Sequence, residues 1–170
     1  MTQEEHAQSL IKRIISAFSG TTKPAANDIV YSGGLKYHDV EELLERLEGK
    51  EWHDLAASTE TIEYHRNDEF EFLTEAAMRY YLPGYIVACL RDPGAADVLV
   101  DHVMDLLAPR SERDVKRGGG VHDVEALLEP MTSAQVKVIG EFLLQEINAY
   151  AEAFQPEYKA YKAYWTKKIS

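Results

Sequence analysis

The chain has 170 residues and a single cysteine, Cys89; this length fits one domain with a sizeable core, and one cysteine excludes an intramolecular disulfide. Its formal net charge of −11 disfavours nucleic acids and anionic membranes as partners, because their phosphates would be repelled. No secretion signal and no apolar run of membrane-spanning length is visible, so we expect a cytoplasmic protein that does not enter the membrane.

The N-terminal part of the chain predicts two helices separated by a loop. The first helix, Thr2–Phe18, opens with a capping-box spacing and carries a single apolar stripe at helical spacing. Residues 20–37 are rich in turn-forming residues and predict a loop, in which residues 29–31 are extended without a partner strand. A second helix starts at Asp39 as its N-cap and ends at Gly49, the expected left-handed stop.

The longest apolar-rich stretch of the chain is Phe70–Leu90. Thr74 is a suitable N-cap, and the residues behind it are apolar around most of the helix circumference, which predicts a buried central helix. Pro83 lacks an amide donor and clashes with the carbonyl four residues earlier. We therefore expect a kink or a break at Leu82–Gly84.

The C-terminal half predicts further helices and one mobile connection. A helix begins at Asp92–Pro93, with the aspartate as N-cap and the proline at the first helical position. The charged, glycine-rich loop at about 109–121 is expected to be mobile. A capping box at Thr132 opens an amphipathic helix whose Gly140 predicts close approach by another helix, and an amphipathic segment follows at 156–168.

These elements predict an all-α fold with one domain over residues 1–170. We expect an irregular bundle of five to six helices around the central, Pro-kinked helix. The oligomeric state stays open, because the sequence contains no feature that fixes it.

Two motifs of the chain resemble a known family. Residues 72–85 contain Phe-Leu-Thr, Glu-Ala and then Arg-Tyr-Tyr-Leu-Pro-Gly-Tyr, a motif that includes Arg79, Tyr80, Tyr81, Pro83 and Tyr85. An upstream Gly-x-x-Trp-x-x-Leu pattern is matched by Gly49, Trp52 and Leu55, and residues 131–143 match a downstream segment loosely. This combination is similar to a family of small bacterial helical proteins of unknown function. The resemblance implies an α-helical, bacterial and cytosolic protein and implies no activity.

His-Asp dipeptides suggest one enzymatic alternative, a metal-dependent hydrolase. His6, His38, Asp39 and Asp101 can be aligned with the metal ligands of an all-helical phosphohydrolase family, because imidazole and carboxylate suit such metals. The fit is poor, since Asp39 is expected to cap a helix. Asp101, His102 and Asp105 form a second, weak metal candidate. We expect no metal and no cofactor, and we see no nucleophile or phosphate-binding motif.

The function that the sequence favours is non-catalytic binding of a basic protein, as by an inhibitor of the immunity or antitoxin kind. The acidic residues concentrate in Glu41–Glu51 and Asp97–Asp105, and the second stretch places Asp97, Asp101 and Asp105 on one helix face. Buried aromatic anchors supply most of the affinity in such complexes. The candidate anchors are Trp52, Tyr158, Tyr161 and Trp165. The lysines and tyrosines of the C-terminal segment could instead stack on nucleic acid, but we expect that segment to dock within the molecule.

Overall fold

A computed structural model describes residues 2–32, 38–57, 61, 69–109, 123–150 and 156–170. These residues are mostly helical and contain no strand. The α-helices are α1 Gln3–Phe18, α2 His38–Leu47, α3 Trp52–Ala57, α4 Glu69–Phe72, α5 Glu75–Arg91, α6 Asp97–Leu106, α7 Val124–Leu128, α8 Ser133–Tyr150 and α9 Pro156–Lys168. The described residues therefore hold nine helices rather than five to six, three of them with six residues or fewer.

Helix α5 lies at the centre of the fold, as its sequence predicts. Most of its residues are buried, from Ala77 to Leu90, and helices α1, α3, α6, α7 and α8 all contact it. Thr74 caps its N-terminus and accepts a hydrogen bond from the Ala77 amide at 3.1 Å. Burial on every side explains why the sequence is apolar around the whole helix rather than along one stripe.

Pro83 lies inside α5 without interrupting it, because the helix runs from Glu75 to Arg91. A break at Leu82–Gly84 is therefore wrong, and the kink stays a prediction. Gly84, the residue after Pro83, provides space for a neighbouring helix. A Cβ atom there would lie 2.3 Å from the Trp52 carbonyl oxygen and 3.0 Å from the Leu55 Cβ, so glycine allows α3 to pack directly on α5.

Several local predictions are confirmed by hydrogen bonds. Thr2 and Glu5 form a reciprocal capping box at the start of α1. Thr132 and Gln135 exchange the same pair of bonds at the start of α8. Gly49 has a φ of 69°, the left-handed conformation expected after α2. Each of these signals depends on residues within one turn, which makes them readable from the sequence.

Two helix starts differ from the sequence prediction. Asp92 is the C-cap of α5, and its carboxylate accepts from the Ala95 amide at 3.1 Å, so residues 92–96 form a separate turn and α6 begins only at Asp97. Helix α2 begins at His38, one residue before the predicted N-cap Asp39. An aspartate in the first turn of a helix still complements the helix dipole. The side chains of both residues at the start of α2 lie outside the described part of the chain.

The extended residues near position 30 do find a partner. Val30 forms an isolated antiparallel bridge with Leu73. The Tyr31 amide donates to the Phe72 carbonyl, and the Thr74 amide donates to the Ile29 carbonyl, both at 3.0 Å. This pairing fixes the loop after α1 against the residues that lead into α5.

The last helix, α9, docks on the body of the protein. The Tyr161 hydroxyl donates to the Met104 carbonyl at 2.7 Å, and the Trp165 indole donates to the Leu107 carbonyl at 3.2 Å. A Cβ atom at Gly140 would lie 2.3 Å from the Ile169 side chain, which confirms the close approach predicted there. None of the described helices combines the length and the apolar character needed to cross a membrane. The predicted mobile loop at 109–121 lies almost entirely outside the described residues.

Candidate functional site

Helix α6 presents an acidic face to solvent. Asp97, Asp101 and Asp105 are all exposed, whereas the opposite face of the helix is buried. Partial burial and the neighbouring Asp101 carboxylate raise the pKa of Asp105. Val98 lies on the same helix and is 54% exposed, one of the few large apolar side chains on the described surface. The face thus combines negative charge with a small apolar contact.

Helix α2 and the turn after it form a second acidic surface. Glu41, Glu42, Glu45, Glu48 and Glu51 are exposed. The apolar side chains of the same helix point into the core, because its amphipathic period separates the two faces. Both acidic stretches picked out in the sequence are therefore solvent-facing helix surfaces.

A cleft of about 530 Å³ opens beside α2. Its apolar lining comes from Ile29, Leu44, Leu47, Tyr81 and the loop after α1, where Pro24 and Ala26 contribute. Glu45 and Glu48 belong to the same lining, together with Lys23 and Gly49. The cleft therefore joins an apolar interior to a charged rim.

A polar cluster adjoins this cleft at Lys23. Glu51 accepts a hydrogen bond from the Tyr80 hydroxyl, and its other carboxylate oxygen lies 3.6 Å from the Lys23 ammonium. The same ammonium donates to the Lys50 carbonyl at 2.5 Å. Burial, with the Glu51 charge beside it, raises the pKa of the Tyr81 hydroxyl to about 12, so this tyrosine stays neutral at physiological pH.

The structure places three of the four candidate anchors in the core. Trp52, Tyr161 and Trp165 are 2%, 6% and 0% exposed. Tyr158 is half-buried. Because a partner could reach the three buried rings only by opening the fold, we do not carry them into the binding surface.

The central motif connects elements of the fold. Tyr80 reaches Glu51, Tyr85 packs edge-on against Phe70, and Arg79 lies 3.9 Å from Glu75 one turn earlier. Gly84, next to Pro83, receives the backbone of α3. Residues 49–55 and 72–85 thus lie against each other, which gives the two motifs a structural explanation.

No metal site is formed by the residues that the structure describes, since they contain no group of three or more His, Cys, Asp or Glu side chains placed to hold an ion. Asp101, His102 and Asp105 lie on α6 without completing such a group. The side chains of His38 and Asp39 lie outside the described residues. Cys89 is buried, and burial raises the pKa of its thiol far above the usual range. A reactive thiolate is therefore disfavoured at this position.

The cleft is not visible in the sequence pattern. Its lining comes from the loop after α1, from α2 and from α5, which are distant along the chain. Taken alone, Lys23 is typical of a surface loop, Gly49 of a helix end and Tyr81 of a buried helix. The sequence pattern indicates the glutamates at its rim as part of the acidic stretch Glu41–Glu51, and Gly49 and Tyr81 only as members of the two motifs.

Comparison with known proteins matches a family model to most of the chain. The model of a family described as "Family of unknown function (DUF6714)" matches residues 6–169, nearly the whole chain. No curated protein and no solved structure matches.

Proposed function

The chain belongs to the DUF6714 family of unknown function, and we propose that it is a non-catalytic module that binds a basic protein. Within this function, the acidic surfaces favour an inhibitor of the immunity or antitoxin kind. Such inhibitors present acidic surfaces that steer a basic partner into place.

The observation that carries this proposal is the separation of charge and core on α2 and α6. Both helices bury their apolar sides and expose their carboxylates, with five glutamates on or just after α2 and three aspartates on α6. Carboxylates repeated at one-turn spacing repel each other by a few tenths of a kcal/mol per pair. A basic partner would relieve this repulsion on binding.

Apolar contacts must supply affinity beyond steering, because exposed ion pairs contribute only about 0–1 kcal/mol each. With Trp52 and Trp165 in the core, the available apolar surface is smaller than the sequence suggests. Val98 on α6 and the cleft beside α2 are the apolar features that adjoin the acidic faces.

The hydrolase alternative receives no support from the described residues. It requires several His, Asp or Glu side chains around one concave site. The cleft contains Glu45 and Glu48 and no histidine.

The test is affinity capture from the native host at low salt, followed by binding measurements with the captured partner. We expect a basic protein whose association rate falls steeply as salt rises. Glu41→Lys and Asp101→Lys should weaken binding and reduce the salt dependence. Glu129→Lys is the matched control, since it reverses one exposed charge at the end of α7 and belongs to neither α2 nor α6.

Two results would count against the proposal. One is that low-salt capture recovers no basic protein. The other is that Glu41→Lys and Asp101→Lys change the affinity and the salt slope no more than Glu129→Lys does.

A further inference from the structure

We propose that the cleft beside α2 is the receptor for a cationic side chain of the basic partner, an arginine or lysine flanked by an apolar residue. This inference rests on the proposed function and adds to it the position and the chemistry of the main contact. The shape of the cleft and the balance of charge at its rim support this assignment.

The interior of the cleft suits an aliphatic stem. Ile29, Leu47 and Tyr81 are almost fully buried and form its inner wall, while Leu44 is half-buried at its edge. Its volume of about 530 Å³ lies within the range of pockets that bind ligands. Arginine and lysine bury their methylene stems against apolar surface and keep their charged heads at a polar rim.

The rim of the cleft is negative despite the presence of Lys23. The positive charge of Lys23 faces the Glu51 carboxylate at 3.6 Å, and its ammonium is hydrogen-bonded to the Lys50 carbonyl. Glu45 and Glu48 line the same cleft and are exposed, and neither has an ion pair within the part of the chain that the structure describes. Two carboxylates therefore remain for a cation.

The same geometry disfavours an anionic occupant. Lys23 already has two oxygen partners, and Glu51 also accepts from Tyr80, so this cluster is internally balanced. An anion entering the cleft would meet the charges of Glu45 and Glu48. A neutral apolar ligand would leave the carboxylates at the rim without a partner.

The experiment uses the full chain labelled with ¹⁵N and two short peptides as probes. One is acetyl-Leu-Arg-Leu-Arg-amide, and the other is acetyl-Leu-Glu-Leu-Glu-amide. We expect the cationic peptide, at concentrations up to about 5 mM, to change the amide chemical shifts of Ile29, Leu44, Leu47 and Gly49. The acidic peptide should leave them unchanged. A single weak contact is measurable in this concentration range.

Three variants test which groups of the cleft bind the peptide. The double variant Glu45→Gln, Glu48→Gln should weaken peptide binding at least about fivefold, because both carboxylate charges at the rim are lost. Glu4→Gln with Glu129→Gln removes the same number of exposed charges at positions outside α2 and α6 and should leave the cleft shifts unchanged. Ala26→Phe, at an exposed position of the lining, should block the cleft without changing any charge.

The possible outcomes separate this inference from the function on which it rests. Shifts confined to Asp97–Asp105 would overturn the cleft as receptor while supporting the acidic binding surface. Equal binding of both peptides, equal weakening by the two double variants, or no shift in the cleft would each overturn the inference. Failure of the low-salt capture would instead count against the proposed function itself.

Discussion

At the scale of single residues, glycine positions show most clearly how this sequence produces its packing. Gly49 ends α2 in a left-handed conformation, which a residue with a Cβ adopts only at a cost. Gly84 has ordinary helical geometry and is required for space, since the Trp52 carbonyl oxygen lies only 2.3 Å from the position of a Cβ. The two glycines look alike in the sequence and have different physical roles.

Gly84→Ala should destabilise the protein. Alanine gains up to about 1 kcal/mol of helix propensity, but overpacking against the backbone of α3 costs about 1–3 kcal/mol. We expect a net loss of up to about 2 kcal/mol in the free energy of unfolding, measured by urea denaturation.

Gly94→Ala is the matched control for that change. The nearest atom to a Cβ there is the Asp92 carboxylate oxygen at 3.9 Å, so the substitution should be nearly neutral. If Gly84→Ala proved as stable as Gly94→Ala, the close packing of α3 on α5 would be wrong.

Tyr81 should make stability sensitive to alkaline pH. Burial, followed by the Glu51 charge, raises the pKa of its hydroxyl from 10.0 to about 12. Below pH 10 both states keep the proton, and between about pH 10 and 12 the unfolded chain loses it first, so the free energy of unfolding falls.

Urea denaturation at about pH 9 and about pH 11 measures this effect. The wild-type protein should lose more stability across the interval than Tyr81→Phe, because phenylalanine has no proton to release. An equal loss in both proteins would assign the alkaline sensitivity to other groups.

At the scale of helices, side chains from distant elements complete helix ends. The last carbonyls of a helix lack partners within it. Tyr161 and Trp165 of α9 donate to the Met104 and Leu107 carbonyls at the end of α6. Arg91 of α5 donates to the Ala56 carbonyl in the same way at the end of α3. The aromatic residues of α9 are thus explained by docking and capping.

Tyr161→Phe should lower the free energy of unfolding by about 1–3 kcal/mol. The change removes the hydroxyl and leaves the buried Met104 carbonyl without that partner. Thermal denaturation of the purified variant measures the loss.

Tyr164→Phe provides the comparison on the same helix. Its hydroxyl donates a hydrogen bond of 2.6 Å to Glu125. Because this carboxylate is exposed, it can accept a hydrogen bond from water instead. We expect a loss below about 1 kcal/mol. Equal losses in Tyr161→Phe and Tyr164→Phe would argue against α9 capping the end of α6.

At the scale of the whole molecule, charge is the dominant surface property. At a net charge of −11, the carboxylates repel one another more strongly in the folded state, because they are closer together there than in the unfolded chain. The described ion pairs that cross between elements join Arg13 to Glu141, Lys23 to Glu51 and Lys168 to Glu125. Each contributes only about 0–1 kcal/mol at the surface.

Raising NaCl from about 10 mM to about 150 mM should therefore increase the free energy of unfolding, by up to about 1 kcal/mol. The Debye length falls from about 30 Å to about 8 Å over this range, which screens long-range repulsion more than contact pairs. Urea denaturation at the two salt concentrations measures the change.

The effect should vanish near the sequence pI of about 5.0, where the net charge is close to zero. A decrease of stability with salt at neutral pH would mean that the ion pairs outweigh the repulsion between carboxylates.

The sequence by itself determined the features that depend on neighbouring residues. The caps at Thr2, Thr74 and Thr132 each join groups three residues apart, and the apolar circumference of α5 marks its burial. The acidic faces of α2 and α6 follow from helical periodicity in the same way. Such signals are readable because one or two turns of helix contain all the participating atoms.

Only the tertiary structure decided which surfaces meet. The Trp52 carbonyl packs against Gly84. Trp52 and Trp165, which the sequence offers as candidate anchors, lie in the core. The cleft is formed by segments more than 30 residues apart, such as the loop at Lys23 and helix α5 at Tyr81. An aromatic side chain carries the same apolar surface into a core as into an interface, so its sequence pattern does not distinguish the two. The distinction depends on which element packs against the aromatic side chain, and the packing of the whole chain determines that element.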